Sequence, residues 1–88
     1  MTWDIKYSKR ANDFIDEHNI RVKIREAIKD FIFKITGSNI NIDAKKLKGE
    51  WAGYYRIRKG KVRIILKPDS ESKTIFVDII DFRGNVYK

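Results

Sequence analysis

The chain has 88 residues, 42% of them hydrophobic, with two Trp, four Tyr and five Phe, which suits one compact domain over residues 1–88 and leaves no room for a large enclosed cofactor cavity. It has no cysteine and one histidine, His18, which excludes a disulfide scaffold, an iron–sulfur site and the usual zinc sites. The net charge is +8, and its distribution is uneven: residues 45 to 67 hold nine basic side chains against one acid, Glu50, whereas the other 65 residues carry eleven of each sign. A basic excess confined to one local element is the electrostatic footprint of a polyanion binder.

In chain order, residues 2–7 (TWDIKY) alternate, with Trp3, Ile5 and Tyr7 on one side and Asp4 and Lys6 on the other, which predicts a short half-buried strand. Ser8 is placed to cap a helix whose apolar stripe is Ala11, Phe14 and Ile15, and His18-Asn19 breaks it. Ile24, Ala27, Ile28, Phe31, Ile32 and Ile35 recur at three- and four-residue spacing and predict a longer helix, stopped by Gly37. A polar loop carrying Lys45, Lys46 and Lys48 follows. Then come three strands: 51–58 (WAGYYRIR), 61–67 (KVRIILK) and 73–80 (KTIFVDII), the last two joined by a turn at 68–72. The expected fold class is α+β, in the order β-α-α-β-β-β, with the helical pair on one face of a small, mainly antiparallel sheet. No membrane span or signal-peptide stretch is visible, and the expected location is cytoplasmic.

Taking Lys59-Gly60 as a two-residue hairpin loop pairs Arg58 with Lys61, Ile57 with Val62, Arg56 with Arg63 and Tyr55 with Ile64. Period-two alternation then puts Tyr55, Ile57, Val62 and Ile64 on the core face and Arg56, Arg58, Lys61 and Arg63 on the other. Like charges across neighbouring strands cost stability. Their accumulation therefore points to an anion with planar, multiple acceptors, such as phosphate.

Other chemistry is scarce. His18 has no serine nucleophile nearby, and Asp13, Asp16 and Glu17 read as a solvated helix face. Asp78 and Asp81 are directed to different faces, and Gly49 and Gly53 lack the strand-to-helix setting of a phosphate loop. An enzyme built on this chain must work with arginine, lysine and tyrosine, without metal or organic cofactor.

The segment LKGEWAGYYRIRKGKVRIIL and the ending FRGNVY, in this element order, resemble the RelE toxins of the RelE/ParE toxin–antitoxin superfamily. The shared pattern falls on Leu47 and Gly49, Tyr55 to Arg58, Gly60, Arg63, Arg83 and Tyr87. The resemblance implies an mRNA interferase that acts in the ribosomal A site, driving attack of a ribose 2′-OH on the adjacent phosphodiester. It assigns Arg56, Arg58, Arg63, Arg83 and Tyr87 to the active face. On this reading Lys45, Lys46, Lys48 and Lys61 would bind RNA phosphates, and Arg63 and Arg83 would contact the scissile phosphate. The implied partners are the ribosome with its mRNA and an acidic, partly helical RelB-like antitoxin. Some relatives have a lysine, a candidate general base, where this chain has Arg56; Val62 replaces a common aromatic and Phe82 a common histidine. Arginine is a poor base at neutral pH, so the motif assigns no proton acceptor. Two other functions fit the charge pattern: a ParE-like inhibitor of DNA gyrase, and a non-catalytic RNA-binding module.

Overall fold

The computed structural model describes residues 3–82. β1 (Asp4–Tyr7) leads into α1 (Lys9–His18) and α2 (Arg21–Ile35), followed by β2 (Asp43–Lys46), a single 3₁₀ turn (Gly49–Trp51), β3 (Tyr55–Lys59), β4 (Val62–Asp69) and β5 (Thr74–Phe82). The five strands form one sheet in the order β1-β5-β4-β3-β2. β1 runs parallel to β5, and every other pair is antiparallel. Among the described residues no helix is long and apolar enough to cross a membrane.

The helix ends follow from identifiable side chains. The Ser8 Oγ accepts the Ala11 N–H at 3.1 Å and donates to the Asp78 carbonyl at 2.6 Å, so one hydroxyl caps α1 and fastens it to β5. Asn19, with φ of 53°, ends α1 in the left-handed conformation that asparagine tolerates. At the end of α2, the Gly37 N–H reaches the Lys34 carbonyl and the Ser38 N–H the Phe33 carbonyl, the paired bonds of a Schellman motif, with Gly37 at φ of 107°.

Both helices cover the same face of the sheet. Ala11, Ile15, Ile24, Ala27, Ile28, Phe31 and Ile32 from the helices meet Ile57, Val62, Ile64, Leu66, Ile75, Val77 and Ile80 from the strands in one core. Trp3, Ile5 and Tyr7 pack against it from β1, as their alternation predicts. Burying these side chains supplies the main stabilising term, about 1.5–3 kcal/mol for each large aliphatic or aromatic group.

Three sequence expectations are corrected. The stretch read as a polar loop contains β2, whose four residues pair with β3 from Asp43↔Arg58 to Lys46↔Tyr55. Residues 51–54, read as the start of a strand, form turns, with Gly53 at φ of 92°. The hairpin loop is Gly60-Lys61, which pairs Lys59 with Val62, Arg58 with Arg63 and Ile57 with Ile64. Gly60 sits first in the loop with φ of 61°, the position where a type II′ turn needs glycine, rather than second as expected. A Cβ there would also lie 2.9 Å from the Lys23 Nζ. The helix limits and the final strand shift by only one or two residues.

β5 carries a bulge. Ile79 pairs with Ile65 but Val77 pairs with Leu66, which leaves Asp78 as the extra residue. The core-facing phase therefore passes from Ile75 and Val77 to Ile80.

Candidate functional site

The candidate site residues of β3 and β4 lie on the second face of the sheet, opposite the helices. In β3, Ile57 points into the core, so Arg56 and Arg58 on either side project to the second face; in β4, Val62 and Ile64 do the same for Arg63. Arg58 and Arg63 are direct cross-strand partners, whereas Arg56 stands opposite Ile65, not Arg63 as the expected register had it. The corrected loop moves pairing by two residues in total; Arg56, Arg58 and Arg63 keep their face, whereas Lys61, expected beside them, sits in the loop instead.

Read across four strands, one row of this face is Asp43, Arg58, Arg63 and Asp81, and the next is Lys45, Arg56, Ile65 and Ile79. Acids thus stand at both ends of the first row. Asp43 Oδ1 accepts a hydrogen bond from Arg56 Nη2 at 3.3 Å, and Oδ2 lies 3.7 Å from Arg58 Nη1. The Arg56 side chain is only 11% exposed, Arg58 31% and Asp43 53%. Arg63 is almost wholly buried, at 4%. The Nε–H groups of Arg56 and Arg58 are buried and donate to no acceptor among the described residues. Buried guanidinium N–H groups without an acceptor cost stability unless an anion meets them.

The lysines divide. Lys45 stands beside Arg56 on the same face, Lys46 faces the helix side opposite Tyr55, Lys48 precedes the 3₁₀ turn, and Lys61 occupies the hairpin tip; all four are exposed. Lys67 extends the arginine face and lies 5.7 Å from the centre of the Tyr54 ring, which meets Trp51 edge-on at 5.1 Å. Arg83 and Tyr87 lie outside the described residues. His18 ends α1, packed between Phe14 at 4.2 Å and Phe82 at 4.8 Å, a ring contact rather than a catalytic setting. Asp78 pairs with Arg10 at 3.3 Å, and Asp81 accepts the Phe82 N–H at 2.7 Å, so the two acids do serve different faces.

Asp43 was missed at the sequence level, although a signal existed. Ile40, Ile42 and Ala44 alternate with Asn39, Asn41 and Asp43, the period-two pattern of a half-buried strand. The structure follows it, with the first three partly buried and the second three exposed.

This arrangement is a cationic sheet face, and at its β2 edge Asp43 and Arg58 also line a small pocket with Asn41, Ile42 and Lys59. It suits a ligand that can lie across strands and offer phosphate oxygens to several guanidiniums. A second, more apolar groove, lined by Trp3, Ile5, Val22, Arg25 and Phe33, lies away from this face.

No family model matches the chain. It is 25% identical over 88 residues to Toxin RelG of Mycobacterium tuberculosis (strain ATCC 25618 / H37Rv), covering all of this chain and 99% of that one. In structure it is similar to the RelE of a RelB–RelE antitoxin–toxin complex from Methanococcus jannaschii, with a TM-score of 0.65 and 27% identity over 93% of this chain and 94% of that one. It also resembles the archaeal RelE–RelB complex of Pyrococcus horikoshii OT3, with a TM-score of 0.68 and 23% identity over 98% of this chain and all of that one. YafQ from E. coli strain BL21(DE3) shares the fold at 16% identity and a TM-score of 0.64, over 99% of this chain and all of that one. With the sheet order and these likenesses together, the chain is similar in sequence and fold to the RelE-like toxins.

Proposed function

We propose that this protein is the toxin of a toxin–antitoxin pair and a ribosome-dependent mRNA interferase, cleaving mRNA in the A site by attack of a 2′-OH on its own phosphodiester. The observation that carries the reading is the clustering of Arg56, Arg58 and Arg63 on one sheet face, two of them directly paired. Like charges are not brought together for stability. Charge that develops on the phosphoryl oxygens during attack is stabilised by donors already in place. Strands β3 and β4, fastened to the core through Ile57 and Ile64, hold the guanidiniums without further reorganisation.

Arg83 and Tyr87 follow β5 in the sequence and complete the family pattern, with Arg83 as a second phosphate contact and Tyr87 as a base-stacking residue. Lys45 and the other exposed lysines supply salt-sensitive attraction for RNA. An acidic, partly helical antitoxin is the expected partner, because it would neutralise the +8 charge; two of the similar structures are complexes with RelB. The expected location is the cytoplasm, where the ribosomes are.

The test is cleavage of mRNA on programmed ribosomes, compared with the same mRNA free in solution, by the wild type and Arg83→Ala. Ribosome-dependent cuts within the A-site codon, lost in the variant, are the expected result. A folded wild type that leaves the mRNA whole but blocks DNA supercoiling would replace this reading with the gyrase-directed one. Binding of RNA without any cut would replace it with a non-catalytic RNA-binding module.

A further inference from the structure

We propose that Asp43 is the general base, its carboxylate taking the proton of the attacking 2′-hydroxyl. The inference rests on the RNA-cleaving reading above and supplies the group that reading lacks. Arg56 occupies the motif position of a candidate base but cannot release its proton at neutral pH. The carboxylate that touches it, at 3.3 Å, is Asp43, which also lies 3.7 Å from Arg58.

Asp43 is itself paired with Arg56 and Arg58, but the carboxylates nearest the row on other elements are less exposed than it is. Asp81, at the other end of the row, accepts the Phe82 N–H. Asp78 is held by Arg10, and Asp30 lies 3.9 Å from Lys59, which shares the core-side face of β3 with Ile57. Asp43 by contrast is 53% exposed and stands on an edge strand, where a ligand can reach it.

The row has room for the reaction. Asp43, Arg58 and Arg63 are on three adjacent strands, so the first and last are about 10 Å apart at the backbone. A 2′-oxygen about 3 Å from the carboxylate and a phosphoryl oxygen about 3 Å from a guanidinium fit within that span, above Arg58. In the step, the O2′–P bond forms while the P–O5′ bond breaks. The 2′-proton passes to an Asp43 oxygen, and the departing O5′ takes a proton from water. The products are a 2′,3′-cyclic phosphate and a 5′-hydroxyl, and Asp43 returns its proton to solvent.

The experiment compares wild type, Asp43→Asn, Asp43→Glu and the charge-matched control Glu71→Gln in single-turnover cleavage on programmed ribosomes, with ribosome binding measured separately. Glu71 lies in the exposed β4–β5 turn, far from the row. Asp43→Asn is expected to slow cleavage about 10²–10⁴-fold, the usual contribution of a general base, with binding within about threefold of wild type. Asp43→Glu should recover at least about tenfold of that loss, and Glu71→Gln should cleave normally. Asp43→Asn cleaving as fast as wild type, or losing binding in step with cleavage, overturns the assignment and leaves Asp43 a counter-ion only. Should the wild type itself leave mRNA uncut, the RNA-cleaving reading falls first and the assignment with it.

Discussion

The two faces of this sheet come from the same strands and obey different rules. On the helix side, Ile57, Val62, Ile64, Leu66, Ile75 and Val77 are buried among isoleucines and phenylalanine from the helices, and charge is confined to the margin, at Lys46 and the Lys59–Asp30 pair. On the other side, alternate residues of the same strands are Arg56, Arg58, Arg63 and Lys67, with Asp43 and Asp81 at the margins. The first face is arranged for burial. The second collects repelling cations and buried N–H donors, an arrangement that costs stability and that the proposed RNA ligand would offset. A strand of alternating character lets one element serve both ends, because the core side fixes where the polar side points.

That contrast can be broken by substitution. The largest stability effect is expected on the helix side: Phe31→Ala removes a buried ring that meets Tyr55 edge-on at 5.2 Å and should cost about 3–5 kcal/mol in urea unfolding. On the arginine side, Arg58→Ala should reverse the pattern. Cleavage on ribosomes should fall about 10²–10³-fold, while unfolding free energy changes by less than about 1 kcal/mol, since a like-charge pair with Arg63 is relieved as the Asp43 contact is lost. A stability loss as large as that of Phe31→Ala would mean that the second face is a structural element after all.

Smaller effects sharpen the boundary between the faces. Ser8→Ala should destabilise the fold by about 1 kcal/mol, since it removes both the α1 cap and the bond to Asp78; thermal melts would show it. The smallest concerns Tyr7, whose hydroxyl is buried without a partner among the described residues. Burial pushes its pKa above the ordinary 10.0, against the opposing pull of Arg21 and Arg25. The folded state therefore holds this proton more tightly than the unfolded chain. Its contribution is complete below pH 10.0 and is lost as the pH rises past that value. Tyr7→Phe should leave neutral-pH stability within about 0.5 kcal/mol and flatten the alkaline loss in a pH series of unfolding curves.

Much of this was legible because hydrophobic phase is robust. Placing the hairpin loop one residue early moved every cross-strand partner and took Lys61 for a strand residue, but left every paired residue on its correct face, since the two-residue change in pairing preserves a period of two. The arginine cluster could thus be read from the register of Ile57 and Ile64 even with the wrong loop. β2 was harder: it is four residues long, reads DAKK, and its single apolar member, Ala44, is small. Edge strands are commonly short and rich in lysine, which hides them from a search for hydrophobic runs. With β2 unread, Asp43 had no register, and a carboxylate beside the arginines could not be placed. The β5 bulge was written in the sequence as a change of phase between Val77 and Ile80, but only the pairing with β4 shows that Asp78 is the residue set aside.

The position of β2 has a kinetic consequence. It is held by one neighbour along four residues, whereas β4 lies between two strands over most of its length. Local openings begin at such edges, so the amide protons of β2 should exchange with solvent well before those of β4. In each brief opening the core would remain intact while the arginines lost their neighbouring carboxylate, and the molecule would alternate between a form equipped with Asp43 and one without it.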